Sequence, residues 1–373
     1  MKIEAYEPSR REQWDSFVFS NPEAGINHLS ANFVLAERRW AGRNRSFMLF
    51  ADDGELIGIL PLIELKRREL RFATRELQSG GPLLKADLRR SLQNEALATL
   101  MDHAKAVAAR VRADRIEIAY PPSAGGRLAI DRYGYLPVKK FGFRELNWVG
   151  QFLDLRQEEA ALFEDLNSKC RNMIRRAQKG GAEASLLSDR QRWLDCYDLN
   201  VQTLGARSWS RESMETIWDE FVCRGLAMVV DAQVEGQIVS VVVVSSMNKA
   251  GYYWIGFSAW PRVLPGTNNY ALWEAILLSK KQGVLWFNLG SLEFTTNQKQ
   301  RNIAEFKVQF GGIPAYTVGG AWDRNPSKRL VIDLAKVQAS AVRQRLASWR
   351  DVKRAPLGES LIKTPPMLIV PAL

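Results

Sequence analysis

The stretch from Gln237 to Gly312 constrains the fold more tightly than any other part of the chain. Ile238 to Val244 is apolar and almost wholly β-branched. After Asn248 and Lys249 comes a second run, Tyr252-Tyr253-Trp254-Ile255-Gly256-Phe257. β-Branched and aromatic side chains fit a pleated surface, and the break between the runs carries turn residues, so two adjacent strands are predicted. The Pro- and Gly-containing link Trp260 to Gly266 leads to a helical pattern from Asn268 to Gln282, with Leu272, Ala275, Ile276 and Ser279 at helical spacing and Gly283 as C-terminal cap. A short strand, Val284 to Leu289, ends at Gly290, and a polar loop follows to Glu305-Phe306-Lys307-Val308-Gln309-Phe310-Gly311-Gly312. A helix start just beyond a strand end presents unpaired N–H groups and a positive dipole end, which attract phosphate; Thr267, Asn268 and Asn269 can cap it. The same pattern also describes an ordinary strand-helix-strand unit.

A length of 373 residues predicts two domains of ordinary size. Hydrophobic content of 46%, with 12 Trp and 16 Phe, is ample for two packed cores. Cys170, Cys196 and Cys223 are odd in number and widely spaced, which points to reduced, buried thiols and a cytoplasmic setting. The first residues, Met1 to Pro8, lack the apolar centre of an export signal, and no apolar run is long enough for a membrane span. The net charge of +11 favours anionic partners: tRNA, nucleotide-linked sugars, coenzyme A or an anionic membrane surface.

In chain order, residues 2 to 6 alternate like an edge strand, and Arg10 to Phe19 reads as a helix burying Trp14, Phe17 and Val18. Ser30 is the predicted N-cap of a helix from Ala31 to Arg39. Phe47 to Phe50, the turn Asp52-Asp53-Gly54, and Leu56 to Leu65 predict a hairpin. After Gly80-Gly81-Pro82, Leu88 to Val111 is a long helix, Ile116 to Ala119 a buried strand, and Tyr133 to Trp148 a final strand region. Glu158 to Gly180, Arg190 to Leu204 and Arg211 to Cys223, the last capped by Ser210, read as helices, and Met228 to Val234 as a strand. Within the first of these, Lys169, Arg171, Arg175, Arg176 and Lys179 form a basic face. Arg171 and Arg175 are an i, i+4 pair whose guanidinium forks suit a phosphate or carboxylate; a merely solvated basic face fits the pattern equally well. From Arg324 to Arg354 there are nine Lys or Arg against Asp333 and Asp351, and Val331 to Trp349 is amphipathic through Leu334, Val337, Val342 and Leu346. Such a helix suits an anionic membrane or tRNA, or packing on its own domain. Pro356 to Leu373 reads as extended or disordered.

Several chemistries are disfavoured. Two histidines, His28 and His103, leave little scope for a His-based triad, and no His/Cys cluster has zinc spacing. Phosphate-loop and dinucleotide glycine signatures are lacking. Lys307, between Phe306 and Phe310, is the candidate catalytic residue: a fixed cation stabilises the oxyanion formed when an amine attacks an acyl ester or thioester, and aromatic neighbours exclude water. The residues alone also allow Lys307 to extend from a strand into water while its Phe neighbours enter the core. Tyr253 and Trp254 alternate in direction, so one of them faces a cleft; Tyr253 is preferred for its hydroxyl, with Asn269 and Tyr270 second.

This ordered set resembles the Fem-type aminoacyltransferases and their acetyltransferase-like relatives, a branch of the GNAT superfamily with two GNAT-like units in tandem. The resemblance rests on Tyr252 to Ser258, the helix Tyr270 to Gly283, Phe287-Asn288-Leu289-Gly290, and Glu305-Phe306-Lys307 to Gly312, with Gly80-Gly81-Pro82-Leu83 and Asn167 to Ala177 beside them. Two positions depart. Asn288 stands where many members carry Asp, and Arg262-Val263-Leu264-Pro265-Gly266-Thr267 has Pro where the classical pyrophosphate loop has its first Gly. The resemblance implies an α/β (α+β) fold of two mixed-sheet GNAT-like units, residues 1–150 and 151–322, followed by a basic helix and Pro-rich tail, 323–373. It implies an N-acyltransferase without a permanently bound cofactor or metal, taking aminoacyl-tRNA or acyl-CoA as co-substrate. The acceptor is an amino group of a cell-envelope precursor, either peptidoglycan or an exported polysaccharide. Lys307 would stabilise the transferred acyl group, with Phe306, Tyr253, Arg171, Arg175, Asn269 and Tyr270 binding substrate and the protein working at the inner face of the membrane. The competing expectation is a non-catalytic adaptor that binds an anionic glycan intermediate or the membrane.

Overall fold

A computed structural model, which describes residues 1–69, 72–259, 264–293 and 297–354, places the β-branched run inside a seven-stranded sheet. Its strands lie in the order Glu183–Leu186, Ala227–Val234, Gln237–Met247, Ala250–Ser258, Trp286–Ser291, Trp148–Asp154 and Ile313–Thr317. Val241 and Val243 enter one core with Trp14, Trp193 and Phe221, whereas Val242 and Val244 enter another with Ile174, Leu272 and Phe287. Burial on both faces is why the run is continuously apolar instead of alternating. The turn residues Asn248 and Lys249 have φ of 48° and 62°, the left-handed pair that a two-residue hairpin needs. Asn248 Nδ2 also donates to the carbonyls of Asn21 (2.8 Å) and Ala24 (2.9 Å), which fixes the turn against the N-terminal segment.

Neighbouring strands of this sheet are antiparallel except Ala250–Ser258 and Trp286–Ser291, which are parallel. A parallel pair needs a crossover, and the helix Thr267–Lys281 supplies it. Ala250, Gly251 and Tyr252 pair with Trp286, Phe287 and Asn288; beyond Tyr252, among the described residues, the two strands run on without pairing. At the point of parting, a bulge sets Val243 opposite Ile255 and Val244 opposite Tyr253, leaving Trp254 as the additional residue.

The N-terminal segment forms a four-stranded sheet, Lys2–Ala5, Phe47–Phe50, Leu56–Leu60 and Leu83–Leu84. A six-stranded sheet follows, ordered Arg144–Glu145, Gly319–Asp323, Arg115–Ala119, Phe72–Ser79, Ile63–Glu69 and Arg43–Asn44. The helix Arg90–Arg110 buries Ala96, Leu100, Ala104 and Val107, which join Ile116 and Ile118 in one core. Met1–Arg67 and Ala73–Arg324 make one compact unit; the helix Pro326–Arg354 belongs to a second. Leu330, Leu334, Val337 and Val342 of that helix are exposed. Among the described residues no helix is long and apolar enough to cross a membrane. The Pro-rich end and the loop residues Arg262 and Val263 lie outside the described residues.

Several expectations change. The strand expected from Leu56 to Leu65 breaks at Pro61-Leu62, and its two halves join different sheets. Proline cannot donate to a ladder, so the break falls there. Ser30 is the first helical residue and not its cap; its N–H and hydroxyl both donate to Asp15, at 2.9 and 2.8 Å. The region Tyr133 to Trp148 holds a helical turn, Lys139–Phe141, and the two-residue strand Arg144–Glu145. Glu158 to Gly180 divides into Glu159–Asp165 and Ser168–Lys179, with Asn167 capping the second by accepting from Lys169 N at 2.8 Å. Arg190 to Leu204 likewise divides at Cys196. The expected boundary at 150 falls inside the strand Trp148–Asp154, and Gly319–Asp323, expected in the second unit, pairs with Arg115–Ala119 in the six-stranded sheet. Arg115 anchors it by a buried bidentate pair to Asp323, 2.7 and 3.2 Å.

His28 is fully buried, its Nδ1 accepting from Gly25 N (3.1 Å) and its Nε2 hydrogen-bonded to Gly81 O (3.2 Å). Burial lowers its pKa from 6.5 to about 4. The unfolded chain therefore binds the extra proton first, and stability present above pH 6.5 is lost as the pH falls towards 4. That contribution is roughly 3 kcal/mol at its limit. Urea unfolding at stepped pH should show this decline in the native sequence and a flatter profile in His28→Gln; parallel profiles would contradict it.

Candidate functional site

The parting of the two parallel strands leaves a cavity on each face of Ala250–Ser258. Tyr252 and Trp254 line a cleft of about 480 Å³ on one face, together with Glu117, Trp148, Asn288 and Gly290. An adjoining cavity of about 250 Å³ shares Glu117, Tyr252 and Trp254 and adds Trp40 and Gln78. On the other face, Tyr253 lines a cavity of about 320 Å³ with Ser240, Gly256, Asn268, Lys299 and Phe306. Tyr253 and Trp254 do point in opposite directions, but each finds a cavity, so the expectation that only one faces a cleft is corrected. Gly256 makes room for the Tyr253 ring, whose hydroxyl would overlap a Cβ at that position. Burial pushes the Tyr253 phenol up to about 12, so it is a hydrogen-bond donor at neutral pH.

Lys307 lies in the last turn of the helix Gln298–Val308, not on a strand as the sequence suggested. Asn297 caps this helix by accepting from Lys299 N (3.0 Å) and Gln300 N (3.3 Å). Phe306 and Phe310 do not sandwich the lysine; they meet each other edge to face at 5.3 Å, with Phe310 in the core. On a helix, adjacent residues diverge by about 100°. Phe306 thus lines the helix-side cavity while Lys307 reaches the strand end Gly290-Ser291, where its Nζ donates to Ser291 O at 2.9 Å. A Cβ on Gly290 would stand 2.9 Å from Lys307 Nζ and 3.6 Å from the Tyr252 ring. Burial lowers the Lys307 pKa, and Glu293 partly offsets this. The lysine is half-buried, and among the described residues its hydrogen bond is the one to Ser291, which leaves two N–H groups for a ligand.

Arg171 and Arg175 are not brought to Lys307. The chain break at Leu166-Asn167 sets the short helix Glu159–Asp165 beside them. Arg171 Nη1 donates to Glu164 O (2.5 Å) and Leu166 O, satisfying carbonyls at a helix end, and Arg175 lies 5.3 Å over the Phe163 ring. Asn269 is buried, its Nδ2 3.4 Å from Cys170 Sγ, so it joins two helices. Tyr270 packs against the same core. The cap of the helix Thr267–Lys281 is Gly266, at φ 94°, because a Cβ there would overlap the Met173 carbonyl. Beside that helix start, Asn268 Oδ1 and the buried Ser240 Oγ have no hydrogen-bond partner among the described residues. Burial pushes the Cys170 thiol up to about 11 and the Cys196 thiol to about 12, away from nucleophilic use; Cys223 is exposed, unlike the buried thiol expected. No group of His, Cys, Asp or Glu among the described residues could hold a metal ion. Sequence reasoning missed Ser240, Glu117 and Tyr120. The one signal for them was a carboxylate inside the apolar strand Ile116-Glu117-Ile118-Ala119.

Gly290 and Gly54 have φ of 89° and 86°, but nothing lies within 4 Å of a Cβ on Gly54. Alanine at either site should cost roughly 1–2 kcal/mol of backbone strain in urea unfolding. Gly290→Ala alone should also push the Lys307 ammonium into water and raise its pKa, read by NMR titration; an unmoved Lys307 would contradict the placement.

No family model matches the chain, and no curated protein matches it. Solved structures do. FemX aligns with a TM-score of 0.65 at 15% identity, over 89% of this chain and 100% of its own. L-PGS from Bacillus licheniformis aligns at 0.57 and 14% identity, over 89% and 96%. A tandem GNAT protein from the clavulanic acid biosynthesis pathway, solved without AcCoA, aligns at 0.52 and 13% identity, over 87% and 99%. These likenesses and the mixed sheets above show that the chain has the Fem-type, tandem GNAT-like fold.

Proposed function

We propose that this chain is an N-acyltransferase that moves an aminoacyl or acyl group from aminoacyl-tRNA or acyl-CoA to an amino group of a cell-envelope precursor. One observation carries the reading: the end of the helix Gln298–Val308 places Phe306 in the cavity on one face of the strand and bonds Lys307 to Ser291, a residue that lines the cleft on the other face. The donor enters on the helix side, where the start of Thr267–Lys281 and the Ser240 hydroxyl, unpartnered among the described residues, offer N–H and O–H donors to an anionic carrier. The acceptor occupies the larger cleft. Its nitrogen attacks the acyl carbon, a C–N bond forms, the C–O or C–S bond to the carrier breaks, and one proton passes from nitrogen to the leaving oxygen or sulfur. Lys307, poorly hydrated and with N–H groups to spare, stabilises the oxyanion formed on the way. Tyr253 and Phe306 enclose the acyl chain.

Exposed Leu330, Leu334 and Val337 beside Lys336 on the helix Pro326–Arg354 favour a second reading, an adaptor that docks on an anionic membrane without chemistry. Incubating the purified protein with labelled aminoacyl-tRNA or acetyl-CoA and an amino-bearing acceptor separates the two. Lys307→Met should lower transfer by at least about 100-fold, the usual effect of removing an oxyanion donor, while circular dichroism and melting stay unchanged. Undiminished turnover in the variant would remove the mechanism, and no transfer from either donor would leave the adaptor.

A further inference from the structure

One wall of the larger cleft belongs to the strand Arg115–Ala119. Ile116 and Ile118 face the core beneath, so Glu117 and Ala119 face the cleft. Glu117 is half-buried and lines both adjoining cavities, and among the described residues no hydrogen bond or ion pair reaches its carboxylate. Its oxygens are not among the fully buried unpartnered atoms, so the carboxylate stays open to the cleft as an unpaired negative charge that a cationic ligand group can meet. The other carboxylate in the cleft, Glu293, differs: it accepts from Gln300 Nε2 at 2.7 Å and lies at the Lys307 end.

Two further features narrow the ligand. Tyr120, 4% exposed, lines the same cleft, and its hydroxyl has no hydrogen-bond partner among the described residues. Trp40, Tyr252 and Trp254 present aromatic surface, which attracts an ammonium and packs against the C–H faces of a pyranose ring. Neutral polar groups such as Ser246 and Ser291 complete the lining, and about 480 Å³ is ordinary for a small-molecule site. A stem peptide's own carboxylates would meet Glu117 unfavourably, whereas a sugar with a free amine offers one positive charge, hydroxyls and no negative charge. The geometry points to an amino sugar as the acceptor class, with Glu117 as counter-ion of its protonated amine and as acceptor of the proton that the ammonium gives up before its nitrogen attacks the acyl carbon, and with the Tyr120 hydroxyl as a partner for a ring hydroxyl. This rests on the acyl-transfer reading and chooses between the acceptors it leaves open.

Binding can be read without any donor, because Trp40, Trp148 and Trp254 report on the cleft. Full-length protein titrated with D-glucosamine should show a saturable change in tryptophan fluorescence, and N-acetylglucosamine, its uncharged counterpart, should bind at least 10-fold more weakly. Glu117→Gln, nearly the same shape, should weaken glucosamine at least 10-fold and leave N-acetylglucosamine unchanged. Tyr120→Phe should weaken both sugars by a common factor. Equal binding of the two sugars, no binding of either, or unimpaired glucosamine binding by a folded Glu117→Gln overturns the assignment. The two readings fail separately. Glu117-dependent glucosamine binding without transfer from either donor keeps the site and removes the acyltransferase, and transfer to a peptide amine undiminished in Glu117→Gln does the reverse.

Discussion

Three residue pairs, Ala250 with Trp286, Gly251 with Phe287 and Tyr252 with Asn288, hold the parallel strands together, and the architecture of the site depends on where that pairing stops. Strand Ala250–Ser258 can leave its inner neighbour because Gln237–Met247 remains hydrogen-bonded along its outer edge as far as Ser258. The bulge at Trp254 adds the local twist that turns the strand away. A fully paired sheet would have closed both cavities. Here the unpaired stretch keeps one on each face, and the end of a helix lies beside the opening.

The same geometry sets the electrostatics. The chain carries a net charge of +11, yet among the described residues the cavities and the strand end between them hold two lysines, exposed Lys299 in the helix-side cavity and half-buried Lys307 at the strand end. Arg171, which could have joined them, is held by carbonyl groups at a helix end. A half-buried ammonium with a pKa lowered by burial keeps its N–H donors and has less water to compete with them, so its interaction with new negative charge is stronger than on the surface. Glu293 moderates the lowering and keeps the protonated form accessible.

Much of the scaffold was legible in the sequence because its signals are local. The β-branched run, the Asn248-Lys249 turn and the periodic helix before Gly283 each follow from residues within a few positions of one another. The site was legible only in part. Phe306-Lys307 was visible as a pair, but strand or helix could not be told from so short a run, and the two choices send the side chains differently. The break at Leu166-Asn167, which turns Arg171 into a helix-end anchor, is decided by packing of the short helix, and no Pro or Gly marks it. The cleft and its adjoining cavity were invisible because their walls come from segments as far apart as residues 25–40, 61–80, 117–123, 148, 221, 245–254, 288–293 and 317.

The most direct test is a crystal structure with a non-transferable acyl carrier, either an acyl-CoA ketone analogue or an amide-linked aminoacyl nucleoside. The account predicts the carrier on the helix side near Ser240 and Asn268, with its acyl carbon between Tyr253 and the Lys307 ammonium at the unpaired stretch of strand. A carrier bound elsewhere, or an acyl carbon remote from Lys307 with the two strands closed on each other, would contradict it.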